Sequence, residues 1–214
     1  MPIRYRILIA DDHKLVAQLF QQHLSGDFDV VATVGDGRAM VRAALELKPD
    51  LILVDIGMPL LNGLDAGRQV KELLPAVKLI YLTLTPDAEI AAEVFEFGAS
   101  GYLLKTCHEA EMILAVHEVL RGKTYLSKGM SRATVDSLRW QKKKRVDVDV
   151  RLTPRQREVL QLLAEGKVMK EIGAILNMSH RTVNYHKYRI RKLLDANSDA
   201  ELVRYAIRNH IVAP

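Results

Sequence analysis

The sequence predicts a parallel, doubly wound α/β domain followed by a smaller, all-α helix-turn-helix domain. Three observations carry this. Over residues 1–122 short apolar runs alternate five times with segments of helical periodicity, the pattern of five strand–helix units sharing one parallel sheet. From residue 151 onward such runs stop and apolar residues fall at helical spacing instead. The charge divides along the same line: residues 1–122 hold 11 Lys/Arg against 17 Asp/Glu, residues 123–150 hold 8 against 3, and residues 151–214 hold 12 against 6. An acidic front and a basic back mark two modules, the second suited to a polyanion.

In the first module, Ile7–Ala10 precedes a helix over about 14–24, and Phe28–Thr33 precedes one over about 36–47 with Met40, Val41, Ala44 and Leu45 on one face. Leu51-Ile52-Leu53-Val54 reads as a strand buried on both faces, and it stops on Asp55 before Gly57 and Pro59. Leu64–Leu74 is the helix that follows, closed by Pro75. Leu79–Leu82 precedes a helix over about 88–97, with Gly98 placed to cap it. Gly101–Leu104 then precedes a helix over about 108–120. Residues 123–150 form a joint: one further helix over about 131–140, then the basic run Gln141-Lys142-Lys143-Lys144-Arg145, whose repulsion favours a solvated linker over extra phosphate contact. In the second module, spanning 151–214, Thr153 and Pro154 start a helix, a short one covers 169–176, a longer one covers about 180–194, and the last covers about 199–210. The tight Asn177-Met178-Ser179 connection makes the middle pair a helix-turn-helix.

Bulk properties narrow the setting. A single cysteine, Cys107, excludes an internal disulfide framework and fits a reducing compartment. The apolar run near the N-terminus is too short for a signal peptide and is interrupted by Asp11 and Asp12, and no run reaches membrane-spanning length. The expectation is a soluble, cytoplasmic protein with no membrane contact.

A parallel sheet opens all its strand carboxyl ends on one edge, where ligands bind. Asp11 and Asp12 follow the first strand, Asp55 ends the third, Thr83 the fourth and Lys105 the fifth. Three carboxylates brought together repel, and each costs several kcal/mol to desolvate unless a cation sits among them. A hard divalent ion, Mg²⁺ foremost, meets that need and accepts phosphate oxygens. Lys105 and Thr83 suit two phosphoryl oxygens, which leaves Asp55 as a nucleophile able to form an aspartyl phosphate. The plainer alternative is a structural cluster without chemistry.

The motifs IADDH, LVDIGMP, LTLT and GYLLKT resemble, in order and spacing, the receiver domain of two-component response regulators over about 120 residues. The resemblance implies a flavodoxin-like fold in which Asp55 takes phosphate from a histidine kinase. It implies that Asp11, Asp12, Asp55 and the Gly57 carbonyl hold Mg²⁺, that Thr83 and Lys105 grip the phosphoryl group, and that Tyr102 is an aromatic switch. Leu84 departs from the small residue many receivers carry there. Gly57 and Thr85 offer little to orient an attacking water, so self-dephosphorylation is expected to be slow.

In the helix over 180–194, Arg181, Tyr185, Tyr188 and Lys192 share the face opposite Val183, Ile190 and Leu194, with Asn184 beside them. Cations, phenols and an amide on one face suit the reading of a DNA groove. The segments LTPRQREVLQLLAEGK and KEIGAILNMSHRTVNYHKYRIRKL resemble the LuxR-type DNA-binding domain, and together the two halves resemble response regulators of the NarL/FixJ class. That resemblance implies base contacts from Asn184, Tyr185 and Tyr188, phosphate contacts from Lys187, Arg189, Arg191 and Lys192, with Thr182 near the helix start. It also implies a homodimer on activation or on double-stranded DNA, with inverted or direct half-sites. Two rivals stay open: a phosphatase working through an aspartyl phosphate, and a regulator that keeps the fold without the switch. The first usually has a second carboxylate two residues after its nucleophile, where this chain has Gly57.

Overall fold

The structure is a computed structural model that describes residues 4–144 and 152–212. The described chain separates into two compact units, the first holding residues 4–58 and 63–144 and the second residues 59–62 and 152–212.

The first unit runs β1 (Arg6–Ala10), α1 (Lys14–Leu24), β2 (Asp29–Val34), α2 (Gly37–Leu47), β3 (Leu51–Asp55), α3 (Gly63–Leu73), β4 (Lys78–Thr83), α4 (Ala88–Glu96), β5 (Gly101–Leu104), α5 (Glu109–Leu120), β6 (Tyr125–Leu126) and α6 (Arg132–Lys144). All pairings are parallel and the strand order is β2-β1-β3-β4-β5-β6. The chain leaves β1 for one edge and returns to β3 on its other side, so the topological switch point, where ligands bind in such sheets, lies between the ends of β1 and β3.

Every residue of β3 is buried, as its unbroken apolar run requires, while β1 pairs it from Ile7↔Leu51 to Ala10↔Val54. Alternation sends Ile7, Ile9, Leu51, Leu53, Ile80 and Leu82 to one face, where Phe20 and Leu24 of α1 and Met112 and Val116 of α5 cover them. The opposite face meets α2, α3 and α4. The β3–α3 connection needs glycine at Gly63, where an added Cβ would stand 2.0 Å from the Asp55 carbonyl oxygen. Backbone therefore packs directly on the strand end that carries Asp55.

Among the described residues the expected five strands are six. β6 is two residues long, pairing Gly101↔Tyr125 and Tyr102↔Leu126, too short for alternation to register in sequence. Its partner β5 would otherwise be a bare edge, and such edges are commonly covered. The helix expected over 131–140 runs on to Lys144, so Lys142–Lys144 are helical rather than linker, and the joint beyond lies outside the described residues. This α6 packs against α4, burying Val135 and setting Arg132 and Arg139 each 5.9 Å from the Phe95 ring.

The second unit holds α7 (Pro154–Ala164), α8 (Met169–Leu176), α9 (His180–Leu194) and α10 (Asp199–Arg208), the last ending two residues before the expected His210. Thr153 and Gln156 form a reciprocal capping box at the start of α7. Val159, Leu160, Ile172, Leu176, Val183, Ile190, Leu202 and Ala206 make one core. In the α8–α9 turn, Asn177 takes the left-handed conformation at φ 52° and Ser179 accepts from the Thr182 N–H, which sets the angle at which α9 leaves. Gly173 lets that turn close: a Cβ there would stand 2.7 Å from the Met178 carbonyl oxygen. Gly173 is thus a point of close approach between the helix and the turn.

Candidate functional site

Two surfaces concentrate chemistry, one in each unit. In the first, the strand ends bring Asp11, Asp55 and Lys105 into direct contact. Lys105 Nζ lies 2.8 Å from Asp11 Oδ2 and 3.0 Å from Asp55 Oδ1, and its side chain is 5% exposed. One ammonium thus bridges two carboxylates buried to 2% and 6% exposure. The Lys105–Asp11 contact falls off the hydrogen-bond direction, so Asp11 Oδ2 is left without a hydrogen bond. Asp11 Oδ1 accepts from the His13 N–H at 2.9 Å, which turns the chain into α1.

Burial pushes the Asp55 carboxyl above its usual range, against the pull of Lys105 and a hydrogen bond from the Gly57 backbone N–H. The loss of water around the carboxylate, with a smaller push from Asp12, thus outweighs the attraction of the one lysine. Asp12 lies at the mouth with its side chain 31% exposed. Donor atoms of Asp11, Asp12, His13 and Asp55 all fall within 4.8 Å of one another, an oxygen-rich set that fits a hard divalent cation. His13 escaped the sequence reading. Its Nδ1 sits 2.7 Å from Asp12 Oδ1, and its only signal in sequence was adjacency to the acidic pair.

Thr83 is half-buried at the end of β4, where its hydroxyl donates to the Thr85 carbonyl at 3.1 Å. Tyr102, beside it on β5, is fully buried and its hydroxyl is pushed up to about 12, chiefly by that burial. Leu84 is 66% exposed, so most of its bulk lies in solvent. Gly57 is exposed at the pocket rim and brings no second acid.

In the second unit, α9 buries Val183 and Ile190 and leaves Arg181, Thr182, Asn184, Tyr185, Tyr188, Arg189 and Lys192 exposed. Tyr185 and Tyr188 are 58% and 64% exposed, large aromatic surfaces that nothing in the core explains. Thr182 is partly committed, its hydroxyl 2.8 Å from that of Ser179 in the helix cap. Lys187 and Arg191 differ from the rest. Both are half-buried and both bind Asp199 of α10, at 2.8 and 2.9 Å. The expected set of cations is therefore present on one helix, but two of its members are held by a carboxylate the sequence reading did not consider.

Residues 7–117 match the response regulator receiver domain, and residues 150–206 match the bacterial regulatory proteins of the luxR family. The chain belongs to the LuxR-class response regulators. Among them, the oxygen regulatory protein NreC of Staphylococcus haemolyticus is 35% identical over 97% of this chain and 99% of its own, and NreC of Staphylococcus aureus is 34% identical. The response regulator RcsB of Salmonella typhimurium superposes with a TM-score of 0.62 at 25% identity, covering 94% of this chain and 96% of its own. An RcsB–DNA complex matches at 0.55 and 25%, over 95% of this chain and 98% of its own. This response regulator is thus a DNA-binding transcription regulator of a two-component system rather than an enzyme in the ordinary sense. None of its described helices is long and apolar enough to cross a membrane.

Proposed function

We propose that this regulator is switched by phosphorylation of Asp55 and carries the signal to DNA through α9. The observation that supports this most directly is the Lys105 ammonium bridging Asp11 and Asp55 beside a rim of further oxygen and nitrogen donors. A histidine kinase is the donor. The Asp55 carboxylate oxygen attacks phosphorus, the nitrogen–phosphorus bond of the phosphohistidine breaks, and the departing imidazole takes up a proton. Asp11, Asp12, Asp55 and the Gly57 carbonyl would hold Mg²⁺, which neutralises phosphoryl oxygens and so lets an anion approach an acidic pocket. Lys105 moves from its carboxylate partners onto one phosphoryl oxygen, and Thr83 gives up Thr85 to donate to another. Tyr102 then fixes Thr83 in that position from within β5.

On the DNA side, Asn184, Tyr185 and Tyr188 read base edges, while Arg181, Arg189 and Lys192 meet phosphates with Thr182 at the helix start. The protein works in the cytoplasm as a homodimer on paired half-sites, a reading supported by the solved structure of RcsB dimers bound to DNA. Self-dephosphorylation is slow, because Gly57 and Thr85 do not orient water.

Intact mass after incubation with a small acyl phosphate, with and without Mg²⁺, tests the switch. One Mg²⁺-dependent phosphoryl group on the wild type and none on Asp55→Asn is expected. No adduct on a folded wild type overturns the proposal and leaves a regulator that works without phosphorylation.

A further inference from the structure

The two α9 cations held by Asp199 stand apart from the other basic residues of that helix. At 100° per residue, Lys187 and Arg191 lie one turn apart on the flank between the buried Val183–Ile190 stripe and the exposed outer face. The outer face of a helix in the major groove meets base edges, and its flanks meet the phosphate walls. Lys187 and Arg191 are therefore the side chains that phosphates would approach from the α10 side. Asp199 already occupies that place: Oδ2 is 2.8 Å from Lys187 Nζ and Oδ1 is 2.9 Å from Arg191 Nη2. A carboxylate bridging two cations has the charge and oxygen spacing of a backbone phosphate. The contacts lower the pKa of its carboxyl below the ordinary value, chiefly through the hydrogen bond from Lys187. It is also 61% exposed, so a competing anion can reach the same cations.

We propose that Asp199 is an internal substitute for DNA phosphate, a brake that lowers the affinity of this regulator for duplex of any sequence. The proposal rests on α9 being the DNA-contacting helix. To bind backbone there, Lys187 and Arg191 must leave a carboxylate that remains nearby and repels the incoming phosphate. The brake acts on the sequence-independent part of binding, which otherwise spreads a basic protein over all available DNA. Occupancy is then left to the base-reading residues and to the switch.

The test is anisotropy of a labelled random-sequence duplex with the full-length protein, from 50 to 200 mM salt. Asp199→Asn is expected to tighten binding about 5- to 10-fold near 100 mM salt and to steepen the slope of log affinity against log salt by about 1. The same substitution in a Lys187→Ala, Arg191→Ala background is expected to give a clearly smaller gain, because no cation is left to release and only the repulsion of phosphate by the carboxylate is relieved. Asp199→Ser should reproduce Asp199→Asn, and matching melting curves show that either change has left α10 in place. Lys192→Ala serves as the reference for the underlying reading. If Lys192→Ala weakens binding while Asp199→Asn leaves it unchanged or weaker, the brake is wrong and Asp199 positions the cations or merely pairs with them. If neither substitution alters binding, α9 is not the contacting helix and both ideas fall.

Discussion

The acidic pocket and the basic helix handle charge in opposite ways. At the sheet edge, two carboxylates and one ammonium are almost fully removed from water, with Asp11 at 2% exposure and the Lys105 side chain at 5%. On α9, Arg181, Arg189 and Lys192 stand in solvent. Charges out of water are expensive and strongly coupled, so each member of the pocket depends on the others. Charges in water cost the fold little and act on a partner mainly through their number and placement. The pocket is a site whose chemistry is stored in the fold's own electrostatics. On the proposed reading, the helix is a site whose chemistry appears only when a polyanion arrives.

The comparison breaks most visibly at Lys105. Lys105→Met leaves Asp11 and Asp55 buried without their cation, so a loss of about 3–5 kcal/mol is expected in urea unfolding without divalent ions. Added Mg²⁺ should return part of it, since a ligand of the folded state stabilises by mass action. A loss below about 1 kcal/mol would mean that the pocket is more hydrated than its burial indicates.

The next effect is of the opposite sign. The Asp55 carboxyl is raised in the fold, so its ionisation opposes folding. That penalty is absent below the unfolded value of 3.8 and grows as pH rises through the folded value. Asp55→Asn should therefore be more stable than the wild type at neutral pH without divalent ions, by about 1 kcal/mol on the usual scale of single substitutions. The advantage should shrink toward pH 4 in thermal unfolding.

Ser179→Ala removes the acceptor that caps α9, for an expected loss of about 1 kcal/mol, and it tests the turn rather than any charge. The smallest stability change is expected at Arg181→Ala, within about 0.5 kcal/mol, because that side chain is exposed. Its DNA affinity should nevertheless fall, with a salt slope shallower by about 1. A stability loss at Arg181 comparable to that at Lys105 would erase the distinction between the two regions.

Most of the fold was legible because its signals are periodic. β3 announced itself as Leu51-Ile52-Leu53-Val54, and each helix of the second unit carried an apolar stripe or a cap within a residue or two of its observed ends. β6 was not legible, because two residues carry no period and Tyr125–Leu126 pair only where β5 supplies a free edge. The close approach at Gly173 was not legible for a related reason: helix propensity is local, while the Met178 carbonyl it admits is placed by the turn.

Sequence by itself determined the parallel sheet, the helix-turn-helix and the residues at the strand ends, since hydrophobic period and strand termini are properties of consecutive residues. Tertiary structure alone decided how those residues pair. It set Lys105 between Asp11 and Asp55, drew His13 into the acidic cluster, and tied Lys187 and Arg191 to Asp199. Each of these links joins atoms whose separation is fixed by the packing of elements or the turn of a chain, and energies that vary steeply with distance and burial are readable only once that packing is known.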